Sequence, residues 1–180
     1  MSKSCISNTF FVRIFTFFSL LGLLFLSSQV FAEIKGFQDF KGKSQKIENY
    51  LGKGKWTVVM IWRSDCHVCN HEAHKYVDFH MIHSDTDATV LGISSDGENR
   101  KKEAEKFIVK HSVDFPNLIA EPETIDGFHQ EMTGLNFIGT PSFLIYSPTG
   151  ELKAAQAGPV PTALIEDFMK KNTGKKVAKK

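Results

Sequence analysis

The chain has 180 residues, 42% of them hydrophobic and 23% charged, which is ordinary for a soluble globular protein. That length predicts one domain with short appendages. The 22 basic and 20 acidic residues give a net charge of only +2, so the composition offers no reason to expect a nucleic-acid partner.

The first 32 residues differ in composition from the rest. They contain Lys3 and Arg13 but no acidic residue, and an apolar run follows over 14–26. A basic start, an apolar stretch and a small residue at the end are typical of a secretory signal peptide. We therefore predict cleavage after Ala32 and a periplasmic location. A retained membrane anchor is the alternative, although the run is shorter than the roughly 20 apolar residues that span a bilayer.

Strand and helix patterns alternate in the mature chain. Lys41-Gly42-Lys43 predicts the turn of an N-terminal hairpin. Continuous apolar runs predict buried strands, and amphipathic stretches predict helices. The remaining predicted elements are, in chain order, a strand at 56–62, a helix at 67–83 with Cys66 in its first turn, a strand at 88–94, a helix at 99–111, a strand at 117–119, a helix at 124–132, strands at 142–146 and 151–156, and a helix that Pro161 opens with Leu164, Ile165 and Phe168 on one face.

This order of elements predicts an α/β domain over residues 33–172. Its central mixed β-sheet would be flanked by helices and preceded by an N-terminal β-hairpin extension. Residues 173–180 are predicted to form a basic, flexible tail. A contact of its lysines with a membrane surface or a partner is the alternative.

Cys66 and Cys69 are the two cysteines left after cleavage, because Cys5 lies in the leader. They close a loop too small to stabilise a fold usefully, so a C-x-x-C pair in an exported protein indicates chemistry. The pair follows strand 56–62 at a helix start, where free backbone N–H groups and the helix dipole favour a thiolate. The thiolate is the nucleophile of disulfide exchange. We predict that Cys66 attacks and Cys69 resolves.

Two segments resemble the TlpA/ResA-like branch of the thioredoxin superfamily. Trp62 with 66–69 is similar to the F-W-x-x-W-C-x-x-C segment of that branch, and 140–150 resembles its T-P-x-x-F segment and following turn. Further matches are the hairpin at 40–43 and the strand residues 92–94. The resemblance covers residues 35–170. It implies a thioredoxin fold and a thiol–disulfide oxidoreductase that acts on client proteins, needs no cofactor and holds no metal.

The resemblance also implies roles for single residues. The Thr140–Pro141 bond would be cis and would turn the Thr140 backbone toward an extended client peptide. Trp62 and His67 would contribute to the client-binding surface. Glu72, three residues after Cys69, would be a proton acceptor or relay with a pKa raised by burial. A solvent-facing helix carboxylate is the alternative for Glu72.

Two departures from the family pattern affect the first cysteine. Asp65 replaces the usual tryptophan, and it would either oppose thiolate formation at Cys66 or cap the helix. His67-Val68 stands between the cysteines without the proline of many relatives, and a protonated His67 would stabilise the thiolate. Because the two substitutions act in opposite directions, the sequence does not fix the redox potential.

Four functions fit the pattern to different degrees. The first is a reductase of exported clients, with apocytochrome c thiols as the client that the family suggests and a membrane thiol–disulfide protein as electron donor. The second is a disulfide-forming oxidase, which runs the same chemistry in reverse. A peroxidase is disfavoured because the P-x-x-x-T-x-x-C segment is missing. Copper binding is an alternative, since Cu(I) and Zn prefer the ligand types found at Cys66, His67, Cys69, His71 and His74.

Overall fold

The computed structural model describes residues 36–173. The predicted signal peptide and residues 174–180 of the predicted tail lie outside the described residues. Among residues 36–173, no helix combines the length and the hydropathy that crossing a membrane requires.

One seven-stranded mixed sheet, in the order β2-β1-β5-β4-β3-β6-β7, forms the centre of the domain. Strand β3 lies in its middle, parallel to β4 and antiparallel to β6. Every residue of β3 is buried, which explains its continuous apolar run. The strands are β1 (Phe37–Asp39), β2 (Ser44–Gln45), β3 (Trp56–Trp62), β4 (Ala88–Ser94), β5 (Asn117–Ile119), β6 (Ser142–Tyr146) and β7 (Leu152–Ala157).

Helices cover both faces of this sheet. They are α1 (His67–His83), α2 (Lys101–Lys110), α3 (Pro122–Thr133) and α4 (Thr162–Asn172), with 3₁₀ turns at Ile47–Asn49 and Glu98–Arg100. Because side chains alternate along a strand, β3 sends Met60 and Trp62 into a core with α1, α2 and α4. It sends Val59 and Ile61 into a second core with α3. The predicted mixed sheet with flanking helices and an N-terminal hairpin is confirmed.

The helix boundaries are where prediction and structure differ. The predicted helix at 99–111 is shorter, because Gly97 has a φ of 68° and a 3₁₀ turn precedes α2. Helix α4 begins at Thr162, with Pro161 as its N-cap. Its buried residues are Ile165 and Met169, whereas Leu164 is 61% exposed. The three residues predicted to share one face, Leu164, Ile165 and Phe168, do line one apolar pocket, but only Ile165 among them is fully buried.

Candidate active site

The redox pair lies where β3 passes into α1. Cys66 is the N-cap of α1, and a disulfide joins it to Cys69 with the Cα atoms 5.2 Å apart. Cys66 is half-buried, whereas Cys69 has no exposed surface. A partner can therefore reach Cys66 directly, and Cys69 only through Cys66.

The helix start supplies a hydrogen bond to the outer sulfur. The backbone N–H of Cys69 donates to Sγ of Cys66 at 3.0 Å. N–H groups at a helix N-terminus stabilise negative charge. In the reduced protein this donor would therefore favour the Cys66 thiolate over the thiol.

The second motif of the sequence meets the first at this sulfur. The Thr140–Pro141 peptide bond is cis. The carbonyl oxygen of Thr140 lies 3.4 Å from Sγ of Cys66, although the residues are 74 positions apart. The carbonyl of Pro141 accepts from the N–H of Gly158 at 2.8 Å, which ties the loop to the end of β7.

Glu72 lies on the buried face of α1 with Cys69, at 5% exposure. Its carboxylate accepts from Nζ of Lys75 at 2.8 Å and lies 3.0 Å from Nδ1 of His71. Burial raises the pKa of Glu72, but the hydrogen bonds from Lys75 and His71 outweigh it, and the pKa is lowered overall. The predicted raised pKa was wrong, and so was the alternative of a solvent-facing carboxylate. The relay role stays a prediction without that support.

Trp62 supports the site from inside the core. Its ring is 1% exposed and stacks on Phe107 at a centroid distance of 4.2 Å. Its Nε1 donates to Oδ1 of Asn117 at 3.1 Å. A side chain so enclosed offers no surface to a client, so its predicted place in the client-binding surface was wrong. His67, in contrast, is exposed directly after Cys66.

Asp65 is held by arginines and does not cap the helix. It accepts from Nε and Nη2 of Arg63 at 2.6 and 2.8 Å, and Nη2 of Arg100 lies 3.2 Å from its Oδ2. The hydrogen bond from Arg63 is the main reason that the pKa of Asp65 is lowered, and the charge of Arg100 adds to it. The capping role predicted as one option for Asp65 belongs to Cys66.

The sequence reasoning missed Asp96, whose side chain is fully buried just beyond β4. Its carboxylate accepts from N and Oγ of Ser64 at 2.9 and 2.7 Å and from Oγ of Ser94 at 2.8 Å. Nδ2 of Asn70 donates to the carbonyls of Ser64 and Cys66 at 2.9 and 3.0 Å. These bonds fix the backbone that leads into Cys66. A polar run after the strand beside β3 is the signal that could have revealed Asp96.

The three histidines nearest the cysteines lie on the solvent side of α1. His67, His71 and His74 are all exposed. Within residues 36–173, no three His, Cys, Asp or Glu side chains come together as a metal site. Copper binding therefore finds no preformed ligand set in the described part of the chain.

Comparisons with known proteins agree with this geometry. The model of the AhpC/TSA family matches residues 30–155. The search of curated proteins finds no match. Three solved structures are similar: a thiol:disulfide interchange protein from Chlorobium tepidum (20% identity, TM-score 0.63, 78% of this chain and 94% of that one), the thioredoxin domain of a Bacteroides vulgatus thiol-disulfide oxidoreductase (22%, 0.60, 76% and 93%) and a Corynebacterium glutamicum thiol-disulfide isomerase (18%, 0.63, 81% and 96%). At these identities the structures show the thioredoxin fold, and the predicted resemblance is confirmed at the level of family and fold.

Proposed function

This chain belongs to the AhpC/TSA family, and we propose that it is an exported thiol–disulfide oxidoreductase of the TlpA/ResA-like kind that reduces disulfides in exported client proteins. One observation carries the proposal: Sγ of the half-buried Cys66, in a Cys66–Cys69 disulfide at a helix start, lies 3.4 Å from the carbonyl oxygen of Thr140, before a cis-proline. That arrangement puts a nucleophile beside a backbone to which an extended peptide can bind.

The reaction needs two thiol–disulfide exchanges. The Cys66 thiolate attacks one sulfur of a client disulfide, forms a mixed disulfide and releases the other client sulfur as a thiolate. Cys69, after losing its proton, attacks Sγ of Cys66 and releases the second client thiolate. Two electrons pass to the client, its two sulfurs take up two protons, and the enzyme is left as the disulfide. A membrane thiol–disulfide donor would then return it to the dithiol.

Exposed apolar side chains within the C-x-x-C motif and shortly before the cis-proline support a protein client. Val68, between the cysteines, is 38% exposed, and Ile138, two residues before Thr140, is 82% exposed. Apolar groups exposed beside a reactive atom are typical of binding surfaces. We propose that the client presents an apolar residue next to its disulfide. An apocytochrome c thiol pair is the client that the family resemblance suggests.

Disulfide formation is the second candidate, and one observation favours it. The N–H of Cys69 at 3.0 Å from Sγ of Cys66 stabilises a thiolate, and stabilising the reduced form makes a disulfide more oxidising. A peroxidase is disfavoured, since Val59 and Arg63 occupy the places of the Pro and Thr in the P-x-x-x-T-x-x-C segment.

Client trapping with single cysteine variants tests the proposal. Cys69→Ala should accumulate Cys66 in mixed disulfides with client proteins, because nothing remains to resolve them, and Cys66→Ala should trap none. Equal trapping by both variants would refute the assignment of attacker and resolver. The reduction potential of the wild-type cysteine pair, measured against glutathione, then decides the direction of electron flow. A value near that of strong oxidants, about −120 mV, would refute the reductase function.

A further inference from the structure

A line of ion pairs connects the end of β4 to the residue beside Cys66. Nη2 of Arg100 lies 3.2 Å from Oδ2 of Asp65, and Nε of the same arginine donates to Oδ1 of Asp96 at 3.1 Å. Arg100 therefore bridges a carboxylate at the active site and a carboxylate in the interior. Arg63 holds Asp65 from the other side.

The buried end of this line is fixed by the fold. Asp96 has no exposed side-chain surface, and the hydroxyls of Ser64 and Ser94 also bind it. Nη2 of Arg100 lies a further 3.3 Å from Oγ of Ser64. An ordinary surface ion pair contributes little, because ordering two free side chains opposes it. Here one partner is already ordered, so the charge of Arg100 keeps its place beside Asp65.

We propose that Arg100 is a positioning residue. Its fixed charge, together with that of Arg63, offsets the charge of Asp65 and so lets the Cys66 thiol ionise more readily to the thiolate. The inference rests on the proposed function, because it concerns the nucleophile of that reaction. A carboxylate close to a thiol disfavours its thiolate, and a guanidinium bound to that carboxylate offsets part of the effect. The chain thereby accommodates Asp65 directly before the nucleophile.

The other charges near this pair stay constant in the test. Glu103, Lys106 and Lys110 line the same shallow groove as Asp65 and Arg100. His67 follows Cys66 and is exposed. Since Asp65 and Arg100 are 42% and 43% exposed, solvent weakens their effect. We expect a change of about threefold in the thiolate-to-thiol ratio, or about half a pH unit.

The experiment follows the alkylation of Cys66 by iodoacetamide against pH, in the reduced Cys69→Ala background. Arg100→Gln should raise the midpoint of this profile by about half a pH unit, and Asp65→Asn should lower it. The double variant should return close to the parent, because it removes one charge of each sign. Arg100→Lys should shift the midpoint less than Arg100→Gln. Lys102→Gln, an equal charge change at an exposed position of α2, is the matched control.

Two results would overturn the inference. One is a shift for Arg100→Gln no larger than that of Lys102→Gln. The other is a double variant that keeps the midpoint of Arg100→Gln, since a purely structural role would not be restored by Asp65→Asn. If Arg100→Gln does not fold, Asp65→Asn alone still tests the inference, because its midpoint shows whether the charge of Asp65 acts on Cys66 in the expected direction. Alkylation needs no client, so a failure of client trapping and a failure of this inference are separate outcomes.

Discussion

Replacing Asp96 with alanine should destabilise the domain more than most single substitutions. The buried carboxylate accepts hydrogen bonds from N and Oγ of Ser64, Oγ of Ser94 and Nε of Arg100. Each hydrogen bond to a charged group contributes about 1.5–3 kcal/mol. Bonds that share one acceptor are not additive, and the hydroxyls can rotate to new partners. We therefore expect a loss of about 3–4 kcal/mol in the free energy of unfolding.

Equilibrium unfolding in urea, followed by the fluorescence of the buried Trp56 and Trp62, measures this loss. Asp96→Asn should cost less, because it keeps the volume and one acceptor but turns an NH₂ group toward donors. Asp126→Ala, which removes an exposed carboxylate on α3, should stay within about 0.5 kcal/mol of wild type. A loss for Asp96→Ala below about 1 kcal/mol would refute the view that this carboxylate holds the redox loop.

Two further predictions concern the client surface and pH. Ile138→Ser should lower kcat/KM for a protein client about five- to tenfold without changing the reduction potential of the cysteine pair. The control is Leu164→Ser, at an exposed position of α4. An equal fall in kcat/KM for this control would contradict the assignment of Ile138 to the client surface. In the folded protein the pKa of Glu72 lies below its ordinary value of 4.5. The ion pairs of Glu72 therefore stabilise the folded state above that pH, and this contribution is lost as the pH falls through the folded pKa. Lys75→Gln should therefore lower the free energy of unfolding at neutral pH and match wild type in acid; a persistent difference in acid would contradict this.

The strands were predictable because their signal is local. A run such as Trp56–Trp62 is apolar throughout since both faces of β3 are covered, and its observed bounds equal the predicted ones. Helix ends depend on backbone conformation at single residues. Gly97 and the 3₁₀ turn after it moved the start of α2 to Lys101, which no apolar period reveals.

The candidate site likewise has a part that the local sequence predicts and a part that depends on how the strands pair. A motif identifies Cys66 and Cys69, because their spacing within the chain is itself the signal. Asp96 depends on a register instead: β3 and β4 are parallel, with Trp62 opposite Ser94. That pairing brings the polar residues after β4 beside the loop after β3. Both segments are visible in the sequence, but their proximity can be inferred only once β3 and β4 are known to be neighbours.

The reduction potential of the cysteine pair depends on charges that local sequence reasoning does not include. In the sequence, Asp65 and His67 flank Cys66 and act in opposite directions on its thiolate. In the fold, Arg63 and Arg100 hold Asp65, so the balance depends on more charges than the two flanking ones. The sign of such a balance depends on distances of a few ångströms. A C-x-x-C motif therefore predicts the chemistry, whereas the potential at which it operates follows from side chains that the fold brings there.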